Sequence, residues 1–165
     1  MVELAPFTRK QKVRLGDFRV GTYRRGALHL VGTAVLGSSR QWAKYLDAAY
    51  PGTKPADWDS RMLQITAMLE EPGRMKALQA MGKTPPTDAG AQLPNVTCPV
   101  LVVQGSADPD WADPRAEGER ILADLPAGLG ELAVIDGAGH YPHAQTPDAV
   151  LALTLPFLDK TLAHA

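Results

Sequence analysis

Two short apolar runs near the C-terminus each end in small residues, and a side chain with acid–base chemistry follows each run. Residues 99–104 lead through Gly-Ser-Ala to Asp108, and residues 132–135 lead through Asp-Gly-Ala-Gly to His140. Apolar runs of this length without alternation predict strands buried on both faces, as in a parallel sheet. The carboxyl ends of neighbouring parallel strands meet at one edge of a sheet. We therefore expect Asp108 and His140 to lie close together.

The region between residues 8 and 93 predicts helices instead of strands. Apolar residues recur every three or four positions within 39–49, 58–69 and 75–81, which is the helical period. Ser39 is expected to cap the first of these helices. The stretch 16–37 is also expected to be helical, although repeated glycines lower its propensity. Residues 83–90 have the proline, threonine and glycine content of a linker.

The two ends of the chain complete an α/β pattern. Residues 2–6 predict the end of a buried strand stopped by a proline. Since no helix or turn precedes that strand, we expect a truncated chain. Asp113-Pro114 and Thr146-Pro147 are typical helix starts, and the right-handed crossover between strands makes the last two strands parallel neighbours. We expect an α/β fold with about three parallel strands, flanking helices and a mostly helical insertion.

The amino-acid composition excludes several classes of protein but indicates no particular function. The 165 residues are 45% hydrophobic and 21% charged with a net charge of −1, which predicts one globular domain without affinity for nucleic acid. The single cysteine, Cys98, excludes an internal disulfide and a multi-cysteine zinc site. No apolar run reaches the roughly 18 residues of a membrane span, and no secretory signal is visible. We expect a cytoplasmic protein that uses no cofactor and no metal.

Other acids and histidines have competing interpretations. Asp110 and Asp113 are alternative acids, but Asp113 is better explained as a helix cap. His143 is more readily a packing or capping residue of the final helix than a second catalytic group. The histidines show no HExxH or similar spacing, which disfavours a zinc hydrolase.

The two strand-end motifs resemble those of the α/β-hydrolase superfamily. Residues 99–110 (PVLVVQGSADPD) are similar to its penultimate strand and acid loop, and residues 136–148 (DGAGHYPHAQTPD) are similar to its histidine loop. The resemblance implies that Asp108 is the acid and His140 the base of a catalytic triad. It further implies a core formed by 1–7 and 94–165, with a helical cap at 8–93.

The nucleophile that this family requires is missing from the sequence. The pattern G-x-S-x-G, which carries the serine on a strained elbow, does not occur. The serines lie elsewhere, at Ser38, Ser39, Ser60 and Ser106. The resemblance therefore implies the second half of a serine ester hydrolase that is inactive alone. An aspartate nucleophile, as in haloalkane dehalogenases or epoxide hydrolases, stays open, because the cap offers Tyr23, Tyr45 and Tyr50 to activate an epoxide.

The remaining expectations concern ligands and partners. Trp111 and Tyr141 lie in the two site loops and are candidates for substrate contact. Aromatic residues in the cap favour a small ester-like substrate with an acyl or aromatic group, although such residues are more often plain core. A non-catalytic remnant is the alternative, and its open sheet edge would favour a homodimer or pairing with a separate N-terminal half.

Overall fold

A computed structural model describes residues 1–4, 8–9, 12–84 and 86–163 of the chain. Its sheet has the order β1 (Val2–Leu4), β2 (Val100–Gly105) and β3 (Gly130–Ile135). Both strand pairs are parallel, with Val2 opposite Leu101 and Val100 opposite Gly130. The expected three parallel strands are thus confirmed. The first strand was predicted to reach residue 6, but residues 5–7 lie outside the described part.

The central strand β2 is buried on both faces, as its unbroken apolar run predicted. Val100 and Val102 pack with Ile121 and Leu125 from helix α6 (Pro114–Asp124) and the residue that follows it. On the opposite face, Leu101 and Val103 pack against Phe157 of α8 (Pro147–Leu162). A short helix, α7 (Pro142–Gln145), precedes α8. The strand is therefore fixed between two helical layers, and its carboxyl end is held in a defined place.

Four helices lie between β1 and β2 in the region that was expected to form the cap, the name kept for it below, and a fifth helix follows them. The four are α1 (Gly21–Leu36), α2 (Ser39–Ala49), α3 (Trp58–Glu70) and α4 (Arg74–Met81), and a 3-10 turn (Leu15–Arg19) precedes them. The predicted helices are therefore present. The expected cap residue of α2 was wrong by one position, because the side chain of Ser38 accepts the hydrogen bond from Gln41 N.

The predicted linker at 83–90 contains a helix. Helix α5 (Thr87–Gln92) runs into a 3-10 turn (Leu93–Asn95). Gly90 of α5 approaches the backbone of Thr8 so closely that a Cβ at that position would overlap the Thr8 carbonyl. Its glycine therefore serves close packing instead of flexibility. Leu93 packs against the cluster around Val100, while the division of the chain at residue 93 stays a prediction.

Among the described residues, no helix is both long enough and apolar enough to cross a bilayer.

Candidate active site

Asp108 and His140 are brought together at the carboxyl edge of the sheet, as the sequence predicted. The Oδ2 atom of Asp108 lies 3.0 Å from Nδ1 of His140. Asp108 is 1% exposed, and the His140 side chain is 14% exposed. A buried carboxylate on Nδ1 fixes the orientation and tautomer of an imidazole and leaves Nε2 for proton transfer.

The loops that carry these two residues are tied to each other. Ser106 donates from Oγ to Asp136 Oδ1 and accepts from Gly137 N, both at 2.9 Å. Ala107 N donates to the Ala138 carbonyl at 2.9 Å. Ser106 therefore links the two loops. This role agrees with the sequence analysis, in which Ser106 does not lie in an elbow motif.

Asp110 is a third charged member of this cluster. Its Oδ2 atom lies 3.5 Å from His140 Nδ1. Its backbone N–H donates to Asp108 Oδ1 at 2.9 Å, so the two acids share one turn. The hydroxyl of Tyr45, on cap helix α2, lies 3.0 Å from each carboxylate oxygen of Asp110 and donates to them. The sequence offered Asp110 only as an alternative acid, and it gave no sign that Tyr45 reaches the site, because 65 residues separate the two.

Burial and charge set the proton affinities of the cluster. Burial raises the pKa of Asp110 to about 6, with a further increase from the Asp108 charge, while the charge of His140 and the Tyr45 hydrogen bond oppose the rise. For His140, burial lowers the pKa, but the hydrogen bond and charge of Asp108 and the charge of Asp110 outweigh it, so the net pKa is raised. Burial and the charge of Asp110 also raise the pKa of Tyr45, which stays protonated. The imidazolium is thus favoured by two carboxylates.

The cap is anchored directly to the histidine loop. His140 N donates to the Ala49 carbonyl at the end of α2, at 2.9 Å. The amide of Gln145 bridges the same two segments, because its Oε1 accepts from Gly139 N at 2.8 Å and its Nε2 donates to the Pro51 carbonyl. These bonds place the backbone of His140 relative to the cap.

Tyr141 and Trp111, the predicted substrate contacts, have different surroundings. Tyr141 stacks on Tyr50 with ring centroids 5.0 Å apart. It lines a mostly apolar cavity of about 560 Å³ together with cap residues that include Trp42, Trp58, Met62 and Ile65. Trp111 is buried beside a different, polar cavity of about 260 Å³, near the guanidinium of Arg9. Of these two residues, Tyr141 is therefore the one that connects the apolar cavity with the neighbourhood of His140.

The other candidate residues have local roles. Asp113 accepts from Ala116 N at 2.9 Å and caps α6, as expected. His143 lies in α7 against the ring of Tyr141, with centroids 6.3 Å apart. His29 is bonded to Gln41 within the cap, and His164 lies outside the described residues.

The acids and the histidine also form the sort of cluster that can bind a cation. Ligand atoms of Asp108, Asp110 and His140 all lie within 4.8 Å of one another. However, both oxygens of Asp108 already accept hydrogen bonds, from Asp110 N and from His140. We therefore interpret the cluster as a hydrogen-bonded charge network and assign it no metal.

Comparisons with known proteins give two matches in sequence. Residues 4–153 match the sequence model of the Alpha/beta hydrolase family. The chain is also 34% identical over 123 residues to the polyketide synthase ThaQ of Burkholderia thailandensis, a match that covers 73% of this chain and 6% of that protein.

Solved α/β hydrolases share the fold at low sequence identity. One is 2-hydroxy-6-oxo-6-phenylhexa-2,4-dienoate hydrolase of a Rhodococcus species, with a TM-score of 0.68 and 14% identity over 96% of this chain and 54% of that one. Another is a thermophilic esterase of Thermogutta terrifontis, with a TM-score of 0.58 and 20% identity over 97% and 55%. The chain thus spans about half the length of these structures.

Proposed function

The chain belongs to the alpha/beta hydrolase family, and from this premise we propose that it forms the acid–base half of a serine ester hydrolase. Asp108 is the acid and His140 the base of this site. The observation that carries the proposal is the 3.0 Å contact between Asp108 Oδ2 and His140 Nδ1 on adjacent loops at the carboxyl edge of a parallel sheet.

In the proposed reaction, Nε2 of His140 accepts the proton of an attacking serine hydroxyl while Asp108 holds Nδ1. The carboxylate stabilises the imidazolium, which then gives its proton to the leaving alcohol. The serine and the donors that stabilise the oxyanion belong to a segment that is not in this sequence. Ser106, the serine of the acid loop, is engaged with Asp136 and Gly137.

The first test is the activity of the 165-residue chain itself. We expect no labelling by a fluorophosphonate probe and no turnover of p-nitrophenyl esters, since loss of a triad member costs several powers of ten in rate. Labelling of any serine in this chain would refute the proposal that the nucleophile lies elsewhere.

The second test restores the proposed missing part. The coding DNA next to this chain is read for a strand–G-x-S-x-G–helix unit, which is then co-expressed with it. Ester turnover is expected to appear in the complex and to fall at least about a thousandfold with His140→Gln. Turnover by the complex that survives His140→Gln would contradict the role given to His140, and Lys44→Gln on the cap surface serves as a control.

The apolar cavity supports a substrate with an acyl or aromatic group. Its walls come from α2, α3 and Tyr141, and Tyr141 is in ring contact with His140 at 4.8 Å. About 560 Å³ suits a small-molecule ligand. In the reconstituted protein, esters with longer acyl groups are expected to have lower KM values than acetate esters.

An aspartate nucleophile is the less favoured alternative. Epoxide chemistry would need a cap tyrosine free to donate to the epoxide oxygen. Tyr45 is buried and already donates to Asp110, and Tyr50 is stacked on Tyr141. The residue at the centre of the missing elbow decides between the two chemistries.

The match to a polyketide synthase favours a second substrate class. The same acid–base pair serves hydrolysis of a thioester as well as of an oxygen ester. A comparison of matched oxygen esters and thioesters in the reconstituted protein separates the two. For both substrate classes, the proposed location of the protein is the cytoplasm.

A partner for the open side of the fold is part of this proposal. Strand β1 has β2 on one side and no described strand on the other. Helix α8 also exposes a row of leucines at helical spacing, which are 38% to 71% exposed: Leu151, Leu155, Leu158 and Leu162. Both features support pairing with an N-terminal half or with a second copy.

A further inference from the structure

The contact between Tyr45 and Asp110 joins the cap to the acid loop at a point that the Asp108–His140 pair does not require. The hydroxyl of Tyr45 lies 3.0 Å from both oxygens of Asp110, and both residues are buried. A buried carboxylate costs folding free energy unless it is hydrogen-bonded. The Tyr45 hydroxyl supplies such a hydrogen bond to the acid that lies beside His140.

We propose that Tyr45 and Asp110 form a positioning pair for His140, in which the cap hydroxyl fixes Asp110 as a second carboxylate beside Nδ1. This inference deepens the proposed function, on which its catalytic meaning rests. The contact itself is a property of the present chain and can be measured without a nucleophile.

The geometry ranks the two acids. Nδ1 of His140 is 3.0 Å from Asp108 Oδ2 and 3.5 Å from Asp110 Oδ2, so Asp108 is the hydrogen-bond acceptor and Asp110 is a second carboxylate at ion-pair distance. The other oxygen of Asp108 accepts the backbone N–H of Asp110. The two carboxylates are therefore held on one turn, and the hydroxyl of Tyr45 fixes the carboxylate of Asp110.

The charges around His140 give this arrangement a consequence for proton affinity. Asp108 and Asp110 face it from the acid loop, the neutral hydroxyl of Tyr45 lies behind Asp110, and Tyr141 contacts it from its own loop. An ionised Asp110 stabilises the imidazolium, which is the state that forms when the base takes a proton. Loss of the Tyr45 hydroxyl makes Asp110 harder to ionise and weakens this support. The cap hydroxyl thereby acts on the proton affinity of the base through Asp110.

The test is an NMR titration of the 165-residue chain with isotope-labelled histidine, with the His140 signal assigned by His140→Gln. Asp110→Asn is expected to lower the pKa of His140 by about one unit, a roughly tenfold loss of proton affinity. Tyr45→Phe is expected to lower it by about half a unit, or roughly threefold.

Matched controls separate this effect from a general loss of structure. Asp113→Asn makes the same change in the same loop and keeps a good helix cap, and Tyr50→Phe removes another cap hydroxyl. Both are expected to leave the pKa of His140 within about 0.2 units. A merely structural role for Tyr45 would change the melting temperature without changing that pKa.

An unchanged pKa of His140 in folded Asp110→Asn and Tyr45→Phe proteins would overturn the inference. If either variant does not fold, a titration of the unaltered chain still tests the inference. The ring signal of His140 and the carboxyl ¹³C signal of Asp110 are then expected to share an inflection, and titration of the two groups independently of each other would overturn the proposal. Failure of the proposed hydrolase activity is distinguishable, because it would leave these titrations as expected while the reconstituted protein turned over no ester.

Discussion

Gly139 is the position where one added methyl group should most directly separate the cap from the histidine loop. A Cβ on this residue would overlap the Ala49 carbonyl oxygen and Cδ of Pro51. Both are backbone or ring atoms that no rotamer change can move. The methyl of Gly139→Ala must therefore push the end of α2 away from the loop.

The expected cost follows from two losses. Overpacking of a well-filled contact costs about 1–3 kcal/mol. The displaced Ala49 carbonyl also loses its 2.9 Å bond from His140 N, worth about 1 kcal/mol. We expect Gly139→Ala to lower the free energy of unfolding by about 2–4 kcal/mol.

Urea denaturation followed by tryptophan fluorescence measures this change, and amide chemical shifts of Ala49 and His140 locate it. Gly21→Ala is the matched control, because a Cβ at the start of α1 meets nothing within 4 Å and alanine favours the helix. It should be neutral or stabilising. A loss below about 0.5 kcal/mol in Gly139→Ala would refute the close approach of cap and loop.

Three further predictions concern the surrounding structure. Glu117 is buried against two arginines, so Glu117→Gln is expected to cost about 1–3 kcal/mol in urea denaturation. Asp110 has a pKa raised to about 6, so its charged form destabilises the fold as pH rises from about 4 to 6 and above. Asp110→Asn is therefore expected to stabilise the protein by about 1–3 kcal/mol at pH 8, a gain that shrinks as pH falls from about 6 to about 4. Leu155→Glu is expected to weaken self-association at least tenfold in sedimentation equilibrium.

Each of these predictions has a matched control and a contrary outcome. Glu119→Gln changes an exposed acid of the same helix, and equal losses in both variants would contradict the role of Glu117. Asp113→Asn makes the same change in the same loop, and a gain for Asp110→Asn that persists in full at about pH 4 would argue against the raised pKa of Asp110. Leu63→Glu changes an exposed leucine of the cap, and a chain that is monomeric before any substitution contradicts self-association.

The fold could be predicted where the burial of a segment leaves a recognisable pattern in its own sequence. Strand β2 is buried on both faces, and such burial leaves an unbroken apolar run in the sequence. Asp108 and His140 were identifiable because each follows such a run after a short turn. Their contact then depends only on the parallel pairing of β2 and β3.

What could not be predicted depends on contacts distant in sequence. Gly90 lies in α5, where the proline- and glycine-containing sequence is typical of a linker, but its glycine is required by Thr8, which packs on it. Tyr45 has the helical spacing of a core residue, and only the folded chain brings its hydroxyl to Asp110. Neither contact leaves a local pattern in the sequence.

The bonds between the end of α2 and the histidine loop limit how a substrate can enter. Ala49 accepts a hydrogen bond from His140 N, and Pro51 accepts one from Gln145 of α7, so an outward movement of α2 would break both bonds and displace His140. In the proposed hydrolase, an opening at the wall lined by Met68, Leu69 and Leu78 of α3 and α4 leaves these bonds intact. Substitutions on that wall should change the rates of substrate entry and product release while leaving the proton-transfer step intact.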